Sequence, residues 1–145
     1  MAEEPVREVI RRLYDEVLNR GDMEVLNEIV SEDLIENQAG PPGSPTGREG
    51  FREWLTTFRR AFPDLHFDIK DMIIDKNKAW VRSTGYGTNT GEFLGLPATG
   101  KTIAAEAIDI FRIENGQQVE HWGVFDQYAI MQQLGLVQSA GEQGK

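Results

Sequence analysis

Apolar positions change period once along this chain, and the change divides it into a helical part and a sheet part. Behind Pro5, a favourable first-turn residue, Val6, Val9, Ile10, Leu13 and Val17 recur at helical spacing. Gly21 stands where a left-handed cap would end that helix. A second, shorter helix is expected to carry Val25, Leu26, Ile29 and Val30 on one side. Asp33 to Asn37 reads as a short strand or an irregular edge. From Gln38 to Gly47, three prolines and three glycines fall in ten residues, which suits neither a helix nor a central strand. That loop is either a rim or lid, or a plain connection. Thr46-Gly47-Arg48-Glu49 has the form of a capping box. Phe51, Trp54, Leu55, Phe58 and Phe62 then make an aromatic stripe on a third helix, which Pro63-Asp64 ends.

From Leu65 the period becomes two. Leu65, Phe67 and Ile69 alternate with polar residues, and Met72-Ile73-Ile74 continues the strand across an expected bulge. Asp75 to Lys78 is a turn, and Ala79 to Asn89 is a second strand, weakened by Gly85 and Gly87. After a glycine-rich connection come two long runs joined by Glu114-Asn115-Gly116. Asn-Gly takes positive φ at both central positions and so joins antiparallel strands. Asp126 is placed to cap a closing helix whose Ile130, Met131, Leu134 and Tyr128 face inward and which Gly135 stops. Helices precede sheet instead of alternating with it, so the class is α+β: a strongly curved antiparallel sheet wrapped over the N-terminal helices, enclosing a cone-shaped cavity. Residues 1–145 read as one domain, with a frayed tail over 137–145.

Composition narrows the chemistry. A net charge of −9 argues against nucleic acid or an anionic membrane as partner. No apolar run is long enough to span a membrane, and the acidic N-terminus lacks the form of a signal peptide, which makes a cytoplasmic protein the expectation. The absence of cysteine removes disulfides and thiolate nucleophiles, and two histidines, His66 and His121, are too few for a His-rich metal site.

The chemistry-bearing residues gather on the hairpin. Alternation places Asp109 with Ala105, Ala107 and Phe111 on one face, where a carboxylate suits general acid/base work. The competing reading is an Asp paired with an arginine or a backbone group. On the second arm His121 shares its face with Gly123 and is within reach of Asp109 across the hairpin, either as a dyad partner or as a structural histidine. Glu36 is a second carboxylate at the cavity or a solvated edge residue. Asn89 orients a substrate carbonyl or stabilises the turn at Thr90-Gly91. Asp126 is first a helix cap, lying at the cavity wall. Trp122 points away from His121, and an outward tryptophan on such a sheet suggests a homodimer interface.

Several longer motifs are specific together: Gly47-Arg48-Glu49-Gly50-Phe51, Ala61-Phe62-Pro63-Asp64-Leu65, Gly87-Thr88-Asn89-Thr90-Gly91-Glu92-Phe93 with Gly95-Leu96-Pro97 and Thr99-Gly100-Lys101, Asp109-Ile110-Phe111-Arg112-Ile113, and Val119-Glu120-His121-Trp122 with Asp126 and Gln133-Leu134-Gly135. In these the chain resembles the SnoaL-like polyketide cyclases, or ester cyclases, of the NTF2-like superfamily, over roughly residues 5–136. The resemblance implies the NTF2-like cone. It also implies intramolecular aldol chemistry on a hydrophobic carbonyl compound, with a carboxylate as general acid/base and no metal or cofactor. Isomerisation or ester hydrolysis are neighbouring possibilities, since this fold hosts several reactions. The family's acid falls at Gly123, and glycine transfers no proton; a histidine usual in the family is Asn89 here. Pocket positions carry Asp109 and Glu36. Two functions follow: an enzyme using Asp109 with His121, with Glu36, Asn89, Gly123 and Asp126 lining the substrate site, or a non-catalytic small-molecule binder that has lost its acid.

Overall fold

The computed structural model describes residues 3–38 and 40–137; the tail expected to fray lies, beyond residue 137, outside the described residues. Helix α1 (Glu3–Arg12) buries Val6, Val9 and Ile10. It runs directly into a π-helical segment (Leu13–Leu18) that buries Leu13, Tyr14, Val17 and Leu18. The wider turn shows in the Asn19 amide, which donates to the Tyr14 carbonyl at 2.9 Å. Single π turns are uncommon and often mark functional positions. Asn19 then ties this segment to the sheet, its amide group exchanging hydrogen bonds with the Phe67 backbone at 3.1 and 2.8 Å. The Arg59 guanidinium donates to the Leu18 and Asn19 carbonyls from the other side.

Helix α2 (Met23–Ile29) is capped by the Asp22 carboxylate, which accepts from the Glu24 and Val25 amides. Val30, expected on the helix, ends it instead, its amide donating to the Leu26 carbonyl, and opens strand β1 (Val30–Glu36). Helix α3 (Gly47–Ala61) follows the proline-rich loop. The expected capping box does not form: Thr46 makes no side-chain cap, and Glu49 bonds Arg52 instead. Gly47 enters the helix at φ 66°, and this turn in the chain leaves the Thr46 hydroxyl out of reach of the third amide. Leu55, Phe58 and Ala61 are buried on α3, and Phe62 just beyond it is fully enclosed against Phe58 and Phe93. Trp54, expected in the core, stands at the edge of the stripe, 39% exposed between Phe51 and Phe58.

Strands β2 (His66–Asp75), β3 (Lys78–Thr88), β4 (Thr102–Glu114) and β5 (Gln117–Phe125) form the antiparallel meander expected from the period-two runs. A register shift between Ile69 and Asp71 supplies the bulge in β2. Asn115 and Gly116, at φ 51° and 75°, make the β4–β5 turn. The sheet has a fifth strand, however, and it is not antiparallel. β1 lies beside β5 in parallel, giving the order β1-β5-β4-β3-β2 in a curved sheet that does not close into a barrel. Helix α4 (Gln127–Gln133) is capped by Asp126, whose carboxylate accepts from the Ala129 amide at 3.0 Å, and it buries Ile130. Tyr128, expected to face inward, is half-exposed because it sits on the solvent side of this short helix. No helix among the described residues is long and apolar enough to cross a membrane.

The aromatic cluster makes α3 a packed wall of the interior. Phe62→Ala is expected to lower stability by about 3–5 kcal/mol, the usual loss for a buried phenylalanine. Trp54→Ala should lose clearly less. Urea denaturation of both variants compares them, and equal losses would contradict this packing.

Candidate active site

The inward face of the sheet is almost wholly apolar. Ala79 and Val81 on β3, Ile103, Ala105, Ala107, Phe111 and Ile113 on β4 are all buried. Four polar groups interrupt it: Ser83 on β3, Asp109 on β4, and Gln118 and His121 on β5. Regular alternation brings Asp109 and His121 to this face, and the β4–β5 register pairs Asp109 with Gly123 and Phe111 with His121. The parallel pairing of β1 with β5 sets Glu36 directly beside His121. The three strands thus deliver three ionisable side chains to one row.

His121 stands in the middle. Its Nε2 lies 2.8 Å from Asp109 Oδ1, and its Nδ1 lies 2.9 and 2.7 Å from the two Glu36 oxygens. Phe111 packs against the imidazole at a ring separation of 5.1 Å. With a carboxylate facing each ring nitrogen, both nitrogens act as donors and the ring is an imidazolium. Burial opposes that charge, but the hydrogen bonds to Asp109 and Glu36 and their negative charges outweigh it and raise His121 to about 9. The His121 and Asp109 side chains keep 12% and 20% of their exposure, whereas Glu36 keeps 35%, so the row opens to solvent at its Glu36 end. There the proline-rich loop begins, its Gln38 amide donating to Glu36 Oε2 at 3.1 Å.

At the inner end is Tyr14, which the sequence reading passed over. Its ring is nearly enclosed, edge-on to Phe67 and Phe111. Burial, and then the charge of Asp109, push its phenol well above the ordinary value, and the hydroxyl interacts with the side chains of both Asp109 and Ser83. Ser83 Oγ, fully buried near that hydroxyl, makes no well-directed hydrogen bond of its own. The available signal was the spacing: Tyr14 follows Ile10 by four residues and so shares the inward side of the first helix.

The remaining predicted residues separate into two groups. Gly123 lies in the row, between Asp109 and His121. Asn89 and Asp126 have their bonding elsewhere. Asn89 is buried, donating to the Gly91 carbonyl at 2.8 Å and accepting from the Thr99 amide and hydroxyl, both at 2.9 Å. It thus holds the glycine-rich connection together, and its amide is committed to that role. Asp126 caps α4. Asp109 is not neutralised by an arginine: the nearby Arg112 pairs with Glu114 and Glu120. Among the described residues no group of three or more His, Asp or Glu side chains is placed to hold a metal ion. In the interior that the sheet wraps, Phe58 packs on Phe62, Phe93 and Phe125, and Phe62 packs on Phe93. One open depression of about 530 Å³ lies near the other end of the sheet, lined by Asp64, Tyr86, Thr88 and Gln133, and does not include the His121 row.

Known proteins place this geometry in context. The family profile described as SnoaL-like polyketide cyclase matches residues 8–134. The aklanonic acid methyl ester cyclase DauD of Streptomyces sp. (strain C5) is 27% identical over 135 residues, covering 90% of this chain and 82% of that protein. The nogalonic acid methyl ester cyclase of Streptomyces nogalater is 24% identical over 119 residues, covering 81% of this chain and 88% of its own length. Among solved structures, TsrD from Streptomyces laurentii superposes with a TM-score of 0.84 at 27% identity, covering 94% of this chain and 99% of that one. Wild-type IdmH from Streptomyces antibioticus gives 0.77 at 31% identity, covering 90% and 98%.

The imidazolium makes stability depend on pH. His121 binds its proton more tightly folded than unfolded, so its contribution is complete below 6.5 and is lost as pH rises through about 9. The full shift corresponds to about 3 kcal/mol. Urea denaturation across that window should show the loss in the wild-type protein and not in His121→Gln. An identical pH profile for the two proteins would contradict the doubly bonded imidazolium.

Proposed function

We propose that this chain, which belongs to the SnoaL-like polyketide cyclase family, closes a ring in a hydrophobic polyketide ester by intramolecular aldol chemistry. The observation that carries this reading is the Asp109 carboxylate, held by His121 in an otherwise apolar interior. Asp109 removes a proton from the carbon between an ester and a second carbonyl. The resulting enolate carbon attacks a ketone carbon of the same molecule, forming the new C–C bond, and the ketone oxygen takes the proton back from Asp109. Reactant and product are isomers, so the protons balance and no electrons leave the molecule. The His121 imidazolium favours the negative charge that develops on the enolate and then on the alkoxide, where a fixed charge in a dry site acts most strongly. Glu36 holds the far side of the imidazole and is the member of the row that faces solvent. Ala105, Ala107 and Phe111 offer the substrate an apolar wall beside Asp109.

The names of the curated relatives suggest the test compounds: aklanonic and nogalonic acid methyl esters. Turnover appears as a product of unchanged mass and shifted chromatographic retention. Asp109→Asn should lower kcat by about 10²–10⁴-fold, the range for loss of a general acid/base. Turnover unchanged in Asp109→Asn removes Asp109 from the mechanism. Tight binding of such esters with no turnover by the unaltered chain would favour a ligand-binding protein instead.

The outer face of the sheet supports a homodimer. Ile73, Trp80, Ile110 and Trp122 are direct cross-strand partners and form one apolar row over β2–β5. Ile108 and Val124, at 44% and 68% exposure, extend it. The neighbouring pairs Arg82–Glu106 and Arg112–Glu120 put both signs of charge on the same face, so a second copy finds complementary partners there. Sedimentation at micromolar concentration should give a dimer, and Val124→Glu a monomer. A wild-type monomer contradicts this assignment.

A further inference from the structure

The row on the sheet contains one residue with no side chain, and its geometry explains why. Asp109 and Gly123 are direct partners across β4 and β5, whereas His121 is two residues further along β5. Diagonal neighbours on an antiparallel sheet have β-carbons roughly 7–8 Å apart. The Asp109 carboxylate therefore reaches His121 only by leaning over position 123. A β-carbon built at Gly123 overlaps Asp109 Oδ1 outright and comes within 2.9 Å of His121 Cε1 and Nε2. The chain itself leaves Gly123 no other demand: its φ is not in the left-handed region, and no backbone atom is among the closest neighbours of the added carbon. The space is also not spare room for a substrate, because the Asp109 carboxylate occupies it.

We propose that Gly123 is a positioning residue: the absent side chain is the space in which Asp109 meets His121, so a carboxylate delivered from β4 and a side chain on β5 at position 123 exclude each other. This rests on the reading of Asp109 as the proton-transfer group and deepens it. The resemblance to the cyclase family puts the family's acid at Gly123, and the glycine there alone reads as a lost acid. The cross-strand register gives another account: the carboxylate has moved to the opposite strand and still meets the same histidine. Both positions filled by aspartate would set two carboxylates side by side over one imidazole, and their mutual repulsion favours keeping only one of them ionised. Asp109 therefore approaches the substrate from the β4 side, and the scissile C–H bond of the substrate must be presented to that strand.

The groups facing His121 are Glu36 from β1, Asp109 from β4 and, through Asp109, Tyr14 from the π-helical segment. NMR titration of the His121 ring protons reads the contact directly and needs no substrate, so it stands apart from the turnover test of Asp109. His66→Gln serves as the common background to leave one histidine signal. Gly123→Ala forces the short Asp109 side chain aside and should lower the His121 midpoint from about 9 by one unit or more. Val124→Ala, on the outer face of the same strand, should leave it in place. The exchange variant Asp109→Gly with Gly123→Asp restores a carboxylate beside His121 from its own strand and should keep the midpoint high. An unchanged midpoint in Gly123→Ala overturns the proposal. Should Gly123→Ala fail to fold, the exchange variant decides: a midpoint near 9 supports the proposal and one near 6.5 overturns it.

Discussion

The constraint on which this molecule depends is the pairing of a buried imidazole with carboxylates on both sides. Burial alone would disfavour a charge on His121, and the two carboxylates reverse that. Asp109, His121 and Glu36 are mutually satisfied. Each depends on a different strand, so the interaction requires β1, β5 and β4 to be in register at once. Removing one member leaves a partly buried charge without its partner, and that asymmetry is the usual reason such groups hold a site in a single arrangement.

Much of the remaining structure serves to hold that register. The Asn115-Gly116 turn aligns the two hairpin arms, and the Asp22 and Asp126 caps set where α2 and α4 begin. Asn19 and Arg59 fasten the π-helical segment to β2 and α3, which keeps Tyr14 over Asp109. The aromatic rings of α3 and Phe93 fill the space beyond. The row is therefore held from several sides by packed elements, with its Glu36 end open to solvent.

How much of this was legible in the sequence depended on the range of the interaction. Period-two alternation and the Asn-Gly turn are local, and they suffice to put Asp109, His121 and Gly123 on one face of one hairpin. The helical stripes of α1 and α3 were equally visible, apart from Trp54 at the edge. The parallel partnership of β1 with β5 was not, because parallel pairing joins segments far apart and leaves no turn signal between them. Without it Glu36 was a residue near the site and not a ligand of His121. Tyr14 was hidden for a related reason: its neighbour Asp109 lies far along the chain, and a π-helical turn has no clear sequence mark. Asn89 allowed two readings, a substrate anchor or a stabiliser of the turn at Thr90-Gly91, and its hydrogen bonds to Gly91 and Thr99 are the local kind that asparagine commonly makes in loops.

The parallel edge also bears on the order in which the chain assembles. β1 is made early and ends at residue 36, but its strand partner, β5, spans residues 117–125. During synthesis the N-terminal strand is therefore an unpaired edge until most of the protein exists. Pairings of such long sequence separation form late and slowly compared with the β4–β5 hairpin, which closes through a two-residue turn. The docking of β1 on β5 is also what brings Glu36 to His121. A chain in which β1 has not docked therefore lacks the contact between Glu36 and His121.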